Sequence, residues 1–173
     1  MGGADKGWIE YRGTPLIQLA LQRLQPQVDE TLISANRNLA RYRSLGVLAL
    51  PDDPSNGEFA GPLAGILVGL RAAHSPWLAV IPCDAPNAPE DLVRRLQRGV
   101  AGGVAAVAHA DGRMQPLFCL LHRDLVPSLA AFVAQGERKV ALWLDQVRAT
   151  HVPFDDTRAF INVNALSEVP DVP

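Results

Sequence analysis

The chain has little cysteine. Cys83 and Cys119 lie far apart, each among apolar neighbours. That excludes a disulfide-stapled scaffold and reads as reduced, buried thiols in a cytoplasmic protein. Its four histidines (His74, His109, His122 and His151) are scattered without ligand spacing, so no zinc site is expected. No apolar run approaches a membrane span, and the first residues contain no hydrophobic signal region. Net charge is −2, with no long Lys/Arg run, which removes any general attraction to nucleic acid or to an anionic membrane. There is no Walker A sequence, no serine nucleophile elbow and no G-x-G-x-x-G opening a helix. Hydride transfer and serine hydrolysis are therefore without support.

What is present is apolar and punctuated. Hydrophobic residues make up 48% of 173 and charged ones 20%, enough for the full core of one domain. The predicted domain runs over 1–169, with 170–173 as a tail. Thr14-Pro15 reads as a helix start, Thr as the cap, and Pro26 as its end. Strands are predicted at 31–35, 47–50, 77–81, 104–108, 117–121 and 159–161. Helices are predicted between them at 39–43, 61–74, from 89, at 125–134 and at 140–147. This alternation predicts a three-layer α/β/α sandwich with one antiparallel strand late in the chain.

The stretch Trp77-Leu78-Ala79-Val80-Ile81-Pro82-Cys83-Asp84-Ala85-Pro86 is the centre of that pattern. Five apolar residues followed by a carboxylate between prolines read as a buried strand ending at a polar lip. Ligands of open α/β sheets bind just outside such strand ends. A turn aspartate is the alternative, since Asp favours turns. Asn36, Asp52 with Asp53, and Asn162 with Asn164 also follow predicted strands, so parallel strands would gather them at one rim. Gly65 and Gly69 each cost a helix about 1 kcal/mol relative to Ala, which points to a close neighbour on that face. Near the helix start, the backbone at Gly61 and Gly65 is placed to approach a base or a phosphate.

These pieces resemble the molybdenum cofactor guanylyltransferases, also called molybdopterin-guanine dinucleotide synthases. The residues that carry the resemblance are Met1-Gly2-Gly3-Ala4-Asp5-Lys6-Gly7, Ser34-Ala35-Asn36-Arg37, Gly61-Pro62-Leu63-Ala64-Gly65, Pro82-Cys83-Asp84-Ala85-Pro86, Gly136-Glu137-Arg138-Lys139-Val140 and Asn162-Val163-Asn164. The resemblance implies a three-layer α/β/α, Rossmann-like nucleotidyltransferase fold of the nucleotide-diphospho-sugar transferase type with a mostly parallel sheet, using GTP and Mg²⁺, with molybdopterin as second substrate. It places Lys6 on the nucleotide phosphates and Asp84 on the Mg²⁺. Asn36, Asp52 and Gly61 fall near the guanine, with Ser34 where the family has an asparagine. Arg138, Asn162 and Asn164 fall on the pterin side. Cofactor biosynthesis proteins and molybdoenzyme apoproteins are the implied protein partners. A CTP- or sugar-phosphate-dependent relative, or a silent truncated paralogue acting as a binding partner, is the alternative.

The family pattern starts earlier than this chain does, with an apolar strand and a Leu-Ala-Gly-Gly turn before the Met-Gly-Gly. Four buried aliphatic side chains on such a strand are worth roughly 6 to 12 kcal/mol of burial. That rivals a domain's whole stability of about 5 to 15 kcal/mol. The expectation is a domain incomplete at its N-terminus.

Overall fold

The computed structural model describes residues 5–54 and 61–163. A 3-10 turn (Lys6–Trp8) leads into a small hairpin, β1 (Glu10–Tyr11) and β2 (Thr14–Pro15). Its turn residues Arg12 and Gly13 both take positive φ, 51° and 78°, as the right-handed strand twist demands of a two-residue hairpin turn. Helix α1 (Leu16–Leu24) follows. Thr14 therefore pairs with Tyr11 across the hairpin instead of capping the helix, and Pro15 takes the cap position.

Next come β3 (Leu32–Ser34), α2 (Leu39–Arg43), β4 (Leu48–Leu50) and α3 (Pro62–Ala72). β3 and β4 form a two-stranded parallel sheet. The remaining elements are β5 (Trp77–Val80), α4 (Leu92–Gly99), β6 (Ala105–Ala110), β7 (Arg113–His122), α5 (Val126–Ala134), α6 (Val140–Gln146) and β8 (Thr150–Pro153). They build a four-stranded sheet in the order β5-β7-β6-β8, in which β7 alone runs opposite to the others. The late antiparallel strand is thus as expected. Pro116 lies where the β6–β7 register slips past Val107, a bulge that needs no ladder donor from it.

The predicted last strand at 159–161 is not one. Residues Thr157–Phe160 form a 3-10 turn, and the Asp156 carboxylate accepts from the Arg158 N–H at its start. Phe160 packs edge-on against Phe118 and Phe154. The sheet's edge strand is instead β8, where only Val152 is buried and no alternation announces it.

Side chains alternate between two faces of the sheet. Val107, Cys119 and Leu121 face α3, α5 and α6; Ala106, Ala108, Phe118 and Leu120 face α4. That gives three layers. A third cluster (Ile17, Leu21, Ile33, Tyr42 and Ala49) belongs to α1, α2, β3 and β4 and is separate from the other two. Helix α3 bridges the halves: a Cβ built on Gly69 would lie 3.1 Å from Leu78 of β5 and 3.6 Å from Leu32 of β3.

Between the facing edges of β3 and β5 runs a groove of about 700 Å³, walled by α1 on one side and α3 on the other. Among the described residues neither of those two edges has a ladder partner.

Candidate functional site

The polar end of the groove gathers residues from three strand ends and one turn. At the end of β3 and β4, the Ser34 hydroxyl donates to Asp52 Oδ1 at 3.0 Å and the Asn36 amide donates to Asp52 Oδ2 at 2.8 Å. The Asp52 N–H donates back to Asn36 Oδ1 at 2.8 Å. Both carboxylate oxygens are thus oriented by neighbours on the parallel partner strand. Asp53, the adjacent candidate, turns to Arg71 of α3 at 3.6 Å. Asp52 is the one that lines the groove.

Gly61 and Gly65 close this corner from α3. A Cβ on Gly65 would stand 2.5 Å from Ser34 Oγ and 3.0 Å from Ser34 Cβ. The helix-weakening glycine is therefore explained by close approach to the very side chain that holds Asp52.

The chain beyond β5 delivers Asp84, next to the groove-lining Cys83. Among the described residues it is the only charged residue that is buried, at 7% exposure. Burying a carboxylate without a counter-charge is costly, and Lys6 supplies one, with Nζ 3.3 Å from Asp84 Oδ2. The lysine stays half exposed, so its ammonium faces the open end of the groove. The Asp84 carbonyl accepts from the Val163 N–H at 2.8 Å, which ties Asn162 into the same neighbourhood although no strand precedes it. Asn164 lies outside the described residues. Arg138 is not brought here: its guanidinium donates to the Val133 and Glu137 carbonyls at the end of α5.

Two groups without an assigned role in the sequence reading also meet the site. The Asp5 carboxylate starts the Lys6–Trp8 turn, accepting from the Gly7 N–H, and it accepts from Tyr42 Oη at 2.6 Å. Asp5 stands beside Lys6 in the glycine-rich segment, but nothing local marks Tyr42, whose spacing on α2 reads as core. Burial and then the Asp5 carboxylate push the Tyr42 phenol above its ordinary range. Burial, with the Asp84 and Asp5 charges, pushes the Cys83 thiol up to about 11.

Chemically, a cation paired with a carboxylate, and a hydrogen-bonded polar lip lining the same groove as that cation, suit a polyanionic ligand with a polar ring. Among the described residues no group of three or more His, Cys, Asp or Glu could cage a metal. Comparison with known proteins decides the family: residues 1–150 match the MobA-like NTP transferase domain. The chain belongs to that family. A molybdenum cofactor guanylyltransferase from Bordetella petrii is 45% identical over 179 residues, covering 100% of this chain and 90% of the relative. Another, from Methylibium petroleiphilum, is 48% identical over 180 residues, covering 98% and 87%. A crystal structure of molybdopterin-guanine dinucleotide biosynthesis protein A from Archaeoglobus fulgidus superposes with a TM-score of 0.73 at 21% identity, covering 95% of this chain and 86% of that one. A 2-C-methyl-D-erythritol 4-phosphate cytidylyltransferase from Thermus thermophilus gives 0.71 at 17%, over 93% and 88%. These superpositions show the shared nucleotidyltransferase fold. No helix among the described residues is long and apolar enough to cross a membrane.

Two outcomes follow from this geometry. Gly65→Ala forces Ser34 aside and is expected to cost about 1–3 kcal/mol, read as a lower urea midpoint, with part recovered when Ser34→Ala is added. The second concerns pH. The raised Cys83 value means that the unfolded chain releases that proton first, so stability falls as pH rises from about 9 through about 11. A urea midpoint flat across that window would contradict it.

Proposed function

We propose that this MobA-like NTP transferase moves GMP from GTP to the terminal phosphate of molybdenum-molybdopterin. An oxygen of that phosphate bonds to the α-phosphorus of GTP, the α–β phosphoanhydride bond breaks, and pyrophosphate leaves with the electron pair. The product is the guanine dinucleotide form of the cofactor, destined for molybdoenzyme apoproteins. The observation that carries this reading is Lys6, paired with Asp84, lining the same groove as the Asn36–Asp52 lip, in a chain whose relatives bear that enzyme name along nearly their whole length.

The residues divide the work by chemistry. Nucleotidyl transfer needs charge neutralisation and in-line positioning more than a protein nucleophile. Lys6, on a short turn at the open end, neutralises phosphate oxygens as a point charge. Asp52, Asn36 and the Gly61–Gly65 backbone face the base, where a carboxylate accepts from ring N–H and amino groups. Asn162, pinned beside Asp84 through Val163, faces the pterin.

Asp84 fits a hard divalent cation: a buried carboxylate already balanced by one positive charge, with no protein cage around it among the described residues. Mg²⁺ takes one or two carboxylates and completes its shell with phosphate oxygens and water. Held there, it would neutralise charge developing on the triphosphate. No general base is needed, because the attacking phosphate is ionised at neutral pH. A cytoplasmic setting agrees with the free thiols of Cys83 and Cys119.

The test compares GTP, CTP and UTP, each with Mg²⁺, in thermal denaturation. GTP at a hundredfold excess over its Kd is expected to stabilise by about 2.7 kcal/mol, with little from the pyrimidine nucleotides. Equal stabilisation by CTP would move the chain to another substrate class; no response to any nucleotide would favour a silent paralogue. Asp84→Asn is expected to keep the fold and to lower turnover at least about tenfold, roughly 1.4 kcal/mol of barrier.

A further inference from the structure

Lys6 occupies a three-residue 3-10 turn, too short to hold a flexible side chain in place by itself. What fixes the turn is one carboxylate. Asp5 Oδ1 accepts from the Gly7 N–H at 3.3 Å and from Tyr42 Oη at 2.6 Å, while Oδ2 accepts from the Asn38 amide at 2.9 Å. The Asp5 carbonyl accepts from the Trp8 N–H at 3.0 Å. Asp5 is thereby bound at both ends, to its own turn and to α2 with its cap.

The surroundings are built to match. Tyr42 is 4% exposed, and its hydroxyl occupies the space beside Gly7, where a built Cβ would lie only 2.5 Å away. Trp8 packs on the Tyr42 ring at 5.2 Å, and the Arg41 guanidinium covers Trp8 at 3.7 Å. Asn38 takes a left-handed backbone, φ 54°, that aims its amide at Asp5. Core packing alone asks for a phenyl ring at position 42. The hydroxyl is spent on Asp5.

We propose that Asp5, held by Tyr42 and Asn38, is a positioning residue that sets Lys6 against Asp84 and against the phosphates of the nucleotide. The proposal rests on the nucleotidyl-transfer reading for its kinetic consequence, but the placement of Lys6 is measurable without nucleotide.

Tyr42→Phe removes one oxygen and keeps the ring. The loss of one hydrogen bond to a charged acceptor is expected to lower kcat/KM for GTP about three- to tenfold. In a Lys6→Ala background the same change should do nothing further, because Tyr42 acts through Lys6. Equal losses in both backgrounds would mark a purely structural role and overturn the proposal. Asn38→Gly, which suits the left-handed backbone, is the second variant and should behave alike.

The ligand-free readout uses the fact that the chain has two lysines, Lys6 and Lys139. With Lys139→Arg, NMR of the ¹³C-methylated protein reports Lys6 as the single lysine signal, read apart from the α-amino group that the same reagent labels. Its signal is expected to move and broaden in Tyr42→Phe and Asn38→Gly. An unmoved signal in both overturns the positioning. A moved signal in a protein without guanylyl transfer would reject the activity and leave the positioning of Lys6 standing.

Discussion

A buried carboxylate needs a partner, and here the partner comes from the other half of the molecule. Asp84 sits beyond β5, in the half built on the four-stranded sheet. Lys6 belongs to the N-terminal turn, which packs on Tyr42 in the separate cluster of α1, α2, β3 and β4. The Coulombic gain of a half-exposed pair is small, so the bond does not hold the halves together. Its consequence is compensation: the Lys6 ammonium balances the one buried carboxylate among the described residues. Under the proposed function, a polyanion and a divalent cation would exchange that mutual contact for ligand contacts.

The bridge between halves is α3, and its glycines say how close the bridge must run. Gly65 gives room to Ser34 on the β3 side, and Gly69 gives room to Leu78 on β5 and Leu32 on β3. An alanine-rich helix would propagate better, yet it would stand off from both strands. The helix trades intrinsic stability for proximity to Ser34, which holds Asp52, and to Leu32 and Leu78. The groove between β3 and β5 lies directly under this bridge.

Much of this was legible in the chain. The apolar run from Trp77 marks a strand because every residue in it meets protein on one face or the other, and Asp84 stands out against it. Position 65 was readable because glycine in a helix always needs a reason. Other features were hidden for physical causes. β8 buries one side chain in four, so no period of two survives to announce it. Asp52 and Asp53 are adjacent and chemically alike, and only the direction of the backbone after β4 sends one to the groove and the other to Arg71. Arg138 carries the right charge for a phosphate but is used to satisfy the carbonyls that a helix end leaves open. Thr14-Pro15 has the composition of a helix cap, yet the tight Arg12-Gly13 turn draws Thr14 into the hairpin first.

The same reasoning separates Tyr42 from the rest of its cluster. Ile17, Leu21, Ile33 and Ala49 are satisfied by contact alone, and any side chain of similar volume would serve. A phenol is different, because its oxygen must find a partner when buried. Tyr42 finds one in a carboxylate that already starts the lysine-bearing turn, so the requirement of the core and the requirement of the site fall on one atom. A lysine on a long flexible stem pays side-chain entropy whenever it is held still. Anchoring the backbone on either side of Lys6 removes part of that cost before any ligand arrives. Under the proposed function, a buried tyrosine on α2 that would touch no phosphate thereby bears on where the phosphates would bind.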